Sequence, residues 1–271
     1  VMESSRSTAL YSELASWRCS TRAVSAARFD GAKADELARL LDLPRVELLD
    51  STTSTLDVAH RLAAEGAPAG TLVIANEQTA GRGRGGKSWQ SSRGAGIWLT
   101  LIERPRDISG LGVLSLRVGL AAAEALDRFA PEPIRLKWPN DLYVDRGKLA
   151  GILVEARWRD QAVEWVSIGL GVNVRAPENL ENAAGLEPDT ERLDVLGELV
   201  PALRAAARGS GPLGADEREE FNARDLARGK ACIEPAIGRV AGITPTGELL
   251  VALADSVVPF RSGSLVLRDS Q

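Results

Sequence analysis

Between residues 134 and 174, four β-type segments follow one another with only short connections, and this run constrains the fold more than any other feature of the chain. The segments are rich in Val, Ile, Leu and Trp and are separated by turns that contain Asp or Gly, which is typical of successive strands. They occupy residues 134–138, 142–144, 149–156 and 163–174. The sequence therefore predicts a β-sheet in this part of the molecule.

Helical segments flank this run in the sequence, so the main part of the chain is predicted to be α/β (α+β). Residues 55–65 read as a helix, with Ser54 or Thr55 as its N-cap and Gly66 at its end. Further helices are predicted at residues 33–41, 111–130, 192–208 and 215–227, and further strands at 71–76 and 97–102.

Composition divides the chain into three parts. Residues 1–44 begin with a stretch rich in Ser, Ala and Arg without an apolar period, and we expect a partly disordered N-terminal extension. Residues 45–225 carry the α/β pattern. After Gly229 the pattern changes to four or five short strands with turns at 245–247 and 262–263, which predicts a small β-barrel-like domain over residues 226–271.

The charge balance and the scarcity of certain side chains exclude several classes of protein. The 271 residues include 33 Lys and Arg against 37 Asp and Glu, a net charge of -4, which gives no support for non-specific binding to nucleic acid or membranes. No apolar run is long enough to span a bilayer. Cys19 and Cys232 form no CxxC motif. His60 is the single histidine, and on the predicted helix we expect it to be a surface or capping residue rather than an acid or base.

The most informative stretch is a glycine- and arginine-rich loop from Gly81 to Trp89. Its first eight residues match the P-loop pattern, but that motif requires a helix directly after it, and the polar residues 90–96 lead into a strand instead. The loop can still bind an anion, because its glycines allow backbone N–H groups to converge while Arg82, Arg84 and Lys87 supply positive charge. From composition alone, a solvated basic loop is an equally good interpretation.

A second cluster of polar residues lies within the strand run. Lys137, Asn140 and Asp141 surround a proline turn, and Lys148 precedes a buried strand. Each also has a structural explanation, since Asn-Asp after Pro is a common turn signal and a lysine at a strand end is often a surface residue. The strand from residue 168 to 174 contains two glycines, which often mark the close approach of a ligand or a backbone.

Taken together, these motifs resemble those of the biotin protein ligases. The similar blocks are Ser54-Thr55, 78–89 (family pattern G-R-G-R-x-G-R-x-W), 137–141 (K-W-P-N-D), 148–155 (K-x-x-G-I-L-x-E) and 169–173 (G-x-G-x-N). Their order and spacing agree with the family over residues 45–225. The resemblance implies a catalytic domain like that of class II aminoacyl-tRNA synthetases, with a central mixed sheet flanked by helices, followed by an SH3-like β-barrel at 226–271.

Three features depart from the family pattern. Leu56 stands where an asparagine usually follows Ser-Thr, which puts one polar contact near the ligand in doubt. Gly85 replaces a common basic residue and Lys87 replaces an arginine, so the loop carries less charge than usual. The winged helix of the repressor members has no counterpart in the N-terminal segment, and we therefore expect no DNA binding.

The resemblance implies a carbon–nitrogen ligase that condenses biotin with ATP to biotinoyl-5'-AMP and passes biotin to a lysine of a biotin carboxyl carrier protein. ATP and Mg²⁺ are the implied cofactors, the metal ligands being unknown. The resemblance implies a cytoplasmic protein that does not bind membranes, and fold analogy alone adds the expectation of a homodimer. Two other functions stay open: a lipoate or octanoate ligase with the same fold, and a non-catalytic biotin-binding regulator.

The resemblance also assigns roles to individual residues. The implied catalytic residues are Lys148, Arg84 and Asp141. The implied biotin-binding residues are Ser54, Thr55, Leu56, Gln78, Gly81, Arg82, Gly83, Arg84, Lys148, Gly151 and Leu153. The implied ATP-binding residues are Arg84, Trp89, Lys137, Asn140 and Asn173.

Overall fold

The structure is a computed structural model and describes residues 27–268 of the chain. The α-helices in this range are α1 (Ala34–Leu40), α2 (Thr55–Ala64), α3 (Leu114–Leu126), α4 (Arg192–Ala207) and α5 (Ala215–Arg224). The first nine strands are β1 (Arg45–Leu49), β2 (Thr71–Ala75), β3 (Gln78–Arg82), β4 (Ser88–Ser91), β5 (Gly96–Glu103), β6 (Arg135–Lys137), β7 (Asp141–Val144), β8 (Gly147–Arg159) and β9 (Ala162–Asn173). The last five are β10 (Ala231–Glu234), β11 (Gly238–Ile243), β12 (Leu249–Ala252), β13 (Val257–Phe260) and β14 (Val266–Leu267).

A seven-stranded mixed sheet forms the centre of the molecule, in the order β1-β2-β5-β9-β8-β7-β6. Strands β1 and β2 are parallel, and every other neighbouring pair is antiparallel. The strand run from β6 to β9 makes up one side of this sheet, as expected for segments joined by short turns. The predicted central mixed sheet is confirmed.

Helices cover both faces of the sheet. On one face, the apolar side of α2 packs against Val73, Ile102 and Trp165, and on the other face α3 and α4 cover a larger core that includes Leu72 and Ile74. Because both faces are covered, β2 is buried along its whole length, which explains its uninterrupted apolar sequence.

Two local features differ from the sequence-based prediction or add to it. The helix predicted over residues 111–130 is shorter, because 3₁₀ turns at Leu111–Val113 and Asp127–Phe129 flank α3. Within the expected N-terminal extension, the described residues 27–44 contribute Phe29 and Leu37 to the main core, and both side chains are fully buried.

The C-terminal part forms a separate five-stranded antiparallel sheet in the order β13-β12-β11-β10-β14. This confirms the predicted small β unit. It is anchored to the α/β unit: the Trp138 indole N–H donates to the carbonyl of Gly247 at 3.0 Å, and the Leu213 N–H donates to the carbonyl of Pro245 at 2.8 Å. In residues 27–268, no helix is both long enough and apolar enough to cross a membrane.

Candidate active site

A pocket opens on the side of the central sheet that α2 covers. The N-terminus of α2, the β3–β4 hairpin and strands β5, β8 and β9 form its walls. Twelve of the residues named from the sequence line it: Ser54, Thr55, Leu56, Gln78, Arg82, Gly83, Arg84, Trp89, Asn140, Lys148, Gly151 and Leu153. The other lining residues are Leu99, Thr100, Ile152, Gly169, Leu170 and Gly171.

One end of the pocket is a network of buried neutral polar groups. The Gln78 side-chain carbonyl accepts hydrogen bonds from the Thr55 backbone N–H at 2.8 Å and from the Thr55 hydroxyl at 3.1 Å. The Gln78 amide donates to the Ser91 hydroxyl at 2.8 Å, and the Thr55 and Thr100 hydroxyls lie 2.9 Å apart. Ser54 caps α2 by accepting from the Leu56 N–H. Such groups can recognise a small polar ring without introducing charge.

The glycine-arginine loop forms a hairpin over the pocket. Strand β3 leads into a 3₁₀ turn at Arg84–Gly86, and β4 returns directly, so no helix follows the sequence that matches the P-loop pattern. Arg82 forms ion pairs with Asp57 at 2.8 Å and with Glu155 at 2.7 Å. The Arg84 guanidinium donates to the carbonyl of Gly263 at 2.6 Å, which ties the loop to the small C-terminal sheet.

Glycines at two positions make room for the Trp89 ring on the sheet. A Cβ atom on Gly171 would overlap the indole of Trp89, and one on Gly151 would lie 3.0 Å from the same ring. The indole N–H is buried and has no hydrogen-bond partner in the described part of the chain. The Lys148 ammonium faces the ring at 5.2 Å from its centroid, a cation–π distance. An aromatic platform with a cation above it suits a base or a phosphorylated ligand.

The charged end of the pocket is built around Lys148. Its Nζ lies 2.7 Å from the Asp141 carboxylate. Asn140 donates to the Ile152 carbonyl at 2.7 Å, which fixes the turn between β6 and β7. Lys137 lies nearby, and burial lowers the pKa of its ammonium; the charge of Asp141 opposes that change. These groups line a wider groove that runs from the loop to residues 263–266.

The described residues contain no group of three or more His, Cys, Asp or Glu side chains placed to hold a metal ion. Among the described residues that line the groove, Asp141 is the single carboxylate. Magnesium is commonly bound by one or two carboxylates, several waters and the phosphates of its substrate. The donor set therefore fits a magnesium ion that arrives with a polyphosphate.

Comparison with known proteins places the chain in a family. Residues 47–173 match the model of the biotin/lipoate A/B protein ligase family. The bifunctional ligase/repressor BirA of Escherichia coli is 32% identical over 222 residues, which cover 74% of this chain and 68% of the relative. The chain belongs to the biotin/lipoate A/B protein ligase family.

Further members of the biotin/lipoate ligase family match over shorter stretches. The biotin–[acetyl-CoA-carboxylase] ligase of Mycobacterium tuberculosis is 37% identical over 164 residues, 58% of either chain. BirA of Bacillus subtilis is 40% identical over 131 residues, and the match spans only 40% of that protein. A solved structure, the biotin protein ligase from Aquifex aeolicus in complex with biotin and ATP, superposes with a TM-score of 0.67 at 26% identity, covering 84% of this chain and all of the other.

Four residues named from the sequence do not line the pocket of this family member. Gly81 lies where a Cβ would overlap the carbonyl of Trp89, so it permits close pairing within the hairpin. The buried Asn173 donates to the Lys148 backbone carbonyl at 3.3 Å and supports the strand behind the site. Lys137 and Asp141 line the wider groove instead.

Sequence reasoning missed Leu99 and Thr100, whereas Ile152 and residues 169–171 lie within the motif blocks 148–155 and 169–173. Leu99 and Ile152 belong to apolar strands, and burial in the core is enough to explain their apolar side chains. Thr100 carries a weak signal, because it is the single hydroxyl in the apolar segment 97–102. A buried hydroxyl needs a partner, and Thr100 finds one in Thr55.

Proposed function

We propose that this chain is a biotin protein ligase, which activates biotin with ATP to biotinoyl-5'-AMP and transfers biotin to a lysine of a biotin carboxyl carrier domain. The observation that carries the proposal is the two-ended pocket, with neutral polar groups around Gln78 at one end and Lys148, which pairs with Asp141 of the adjoining groove, at the other. Biotin has the same two ends, a neutral ureido ring and a carboxylate.

The polar end would hold the ureido ring. Ureido N–H and carbonyl groups that were buried without partners would cost several kcal/mol, roughly 2–7 for each group. Ser54, Thr55 and Gln78 offer donors and acceptors at this end, while Leu56 and Leu153 provide apolar contacts. Leu56 thus supplies apolar surface where the family pattern usually has asparagine, so recognition of the ring falls to the remaining polar groups.

In the activation step, a biotin carboxylate oxygen attacks the α-phosphorus of ATP, an acyl–phosphate bond forms and pyrophosphate leaves. Negative charge accumulates on the phosphoryl oxygens, and preorganised cations stabilise it. Lys148 is positioned to contact both the carboxylate and the phosphate, which aligns the nucleophile with the electrophile. Arg84 brings a second cation over the groove. Magnesium bound to the phosphates would neutralise the leaving pyrophosphate.

In the transfer step, the neutral amine of the carrier lysine attacks the acyl carbon, an amide forms, AMP leaves and the amine gives up a proton. Asp141 is the carboxylate that can orient this amine, with Lys137 and Asn140 supporting the same end. A cytoplasmic location and a homodimer are part of the proposal, and both rest on the family resemblance alone.

The deciding experiment measures pyrophosphate release from ATP and magnesium with biotin, with lipoate, with octanoate and without an acid. We expect pyrophosphate release with biotin and with neither of the other two acids, followed by incorporation of biotin into a carrier domain. Release with lipoate or octanoate instead would assign the second ligase activity. Tight biotin binding without any release would indicate a non-catalytic binding protein.

A further inference from the structure

A chain of polar contacts connects Trp165 on β9, through His60 on α2, to the glycine- and arginine-rich loop from Gly81 to Trp89 (the ligand loop). It begins at Trp165 on β9, whose indole N–H donates to Nδ1 of His60 at 3.0 Å. Nε2 of His60 lies 2.9 Å from Oε2 of Glu155 on β8. The other Glu155 oxygen, Oε1, accepts from Arg82 at 2.7 Å. His60, Trp165 and Glu155 do not line the pocket, and of the four residues only Arg82 was assigned to the site from the sequence.

His60 is partly exposed, as expected of a surface residue, but its hydrogen-bond partners come from strands distant in sequence, which the sequence did not predict. Its side chain is 26% exposed and has a partner on each ring nitrogen. An indole N–H can only donate, so Nδ1 must be the acceptor and Nε2 must carry the proton. His60 is therefore fixed as the neutral Nε2–H tautomer, which donates to Glu155.

Arg82 is held from two sides at the base of the hairpin. One terminal nitrogen donates to Asp57 on α2 and the other to Glu155, so both carboxylates fix the guanidinium plane. Charge-assisted hydrogen bonds of this kind are the strong ones, and two of them set both position and orientation. Because Asp57 and His60 are on the same helix, α2 fixes the loop arginine directly through Asp57 and indirectly through Glu155.

We infer that His60 is a positioning residue for the ligand loop. By donating to Glu155 it orients the carboxylate that holds Arg82, and thereby keeps the β3–β4 hairpin closed over the pocket. It does not line the pocket. The catalytic consequence rests on the proposed function, because a loop that opens more often would release biotinoyl-5'-AMP before transfer.

Three substitutions separate this role from simple packing. His60→Leu removes both hydrogen bonds. His60→Gln can restore them, because one amide carries a donor for Glu155 and an acceptor for Trp165. Arg61→Ala is the matched control, since its side chain is 58% exposed on the same helix and pairs only with Glu65 in the described residues.

Limited trypsin digestion of the ligand-free protein measures loop opening without any activity. Cleavage at Arg82, Arg84 and Lys87 follows the open population of the hairpin when opening is fast. Loss of a hydrogen bond to a charged group predicts about tenfold faster cleavage there in His60→Leu, with wild-type rates in His60→Gln and Arg61→Ala. Unchanged loop cleavage in His60→Leu, or equal acceleration at all trypsin sites, would overturn the inference.

A second measurement links the loop to the reaction. In His60→Leu we expect faster dissociation of biotinoyl-5'-AMP and a higher KM for biotin, by about tenfold, with the rate of adenylate formation at saturation nearly unchanged. Rescue by His60→Gln supports positioning, and a fall in kcat with KM unchanged would overturn it. If wild type forms no adenylate, the proposed function fails, while the digestion result still decides whether His60 holds the loop.

Discussion

The Lys148 ammonium lies 2.7 Å from the Asp141 carboxylate and 5.2 Å from the centroid of the Trp89 ring. The side chains of the ion pair are 31% and 22% exposed, so the pair is partly shielded from water at the mouth of the pocket. A carboxylate substrate that enters the pocket would meet a cation already oriented by two partners. The site is thus preorganised for an anion at the charged end of the pocket.

Lys148→Ala is expected to reduce adenylate formation far more than it weakens biotin binding. Removing one preorganised group that stabilises transition-state charge costs about 10²–10³-fold in rate. The measurement is biotin-dependent pyrophosphate release, with isothermal titration of biotin in parallel. Lys230→Ala, which removes an exposed lysine far along the chain, is the control. A variant that retains the wild-type rate would remove Lys148 from the mechanism.

Asp141→Asn is expected to affect the transfer step more than the activation step. The amide keeps the size of the side chain but cannot accept a proton or attract the carrier amine, and such assistance contributes about 10²–10⁴-fold. Single-turnover transfer from preformed biotinoyl-5'-AMP to a carrier domain isolates this step. If activation falls as far as transfer, Asp141 acts mainly by orienting Lys148.

Gly171→Ala is expected to weaken nucleotide binding, because its Cβ would overlap the Trp89 indole and displace the ring. Loss of an aromatic stacking partner costs about 1–3 kcal/mol for each base, so we expect about tenfold weaker binding of a non-hydrolysable ATP analogue by calorimetry. Gly197→Ala is the control: it lies in α4, its Cβ would meet nothing within 4 Å, and it should stabilise the fold by about 1 kcal/mol. Unaltered nucleotide affinity in Gly171→Ala would show that Trp89 is not the platform.

The sequence predicted the parts of the site that are contiguous in the chain. The blocks around Gln78, Lys148 and Gly171 carry their own signals, namely glycines and charges in places where a strand or turn does not require them. Contacts that depend on the order of the strands in the sheet could not be predicted from the sequence. Thr100 meets Thr55 only because α2 packs on β5, and Glu155 meets Arg82 across 73 positions of the chain. Nothing local in the sequence marks either pair.

Glu217→Gln is expected to lower the free energy of unfolding and to make that free energy depend less on pH in the acid range. Hydrogen bonding from Arg117, whose side chain is 9% exposed, lowers the pKa of the Glu217 carboxyl. Because the pKa of Glu217 is lower in the folded protein, its ionised carboxylate stabilises the fold above about pH 4.5, the ordinary pKa of the group. This stability is lost as the pH falls through the folded-state pKa. Loss of this charged hydrogen bond predicts about 2 kcal/mol less unfolding free energy at neutral pH. Urea unfolding at neutral pH and below pH 4.5 checks both effects, and parallel curves for the two proteins would contradict the assignment.

Tyr143→Phe is expected to remove a stability loss at high pH. Burial, together with the nearby charge of Asp141, raises the pKa of the Tyr143 phenol to about 12. Between the unfolded value near 10 and this value, the unfolded chain binds fewer protons than the folded protein, so the unfolding free energy falls as the pH rises. Thermal unfolding of both proteins is measured at pH 8, roughly pH 10 and roughly pH 11. Comparing the two proteins at each pH removes the contribution of the lysines, which titrate in the same range in both. The Lys137 ammonium lies 5.7 Å from the centroid of the Tyr143 ring. Identical pH dependence in the two proteins would mean that the phenol is as well solvated in the folded protein as in the unfolded chain.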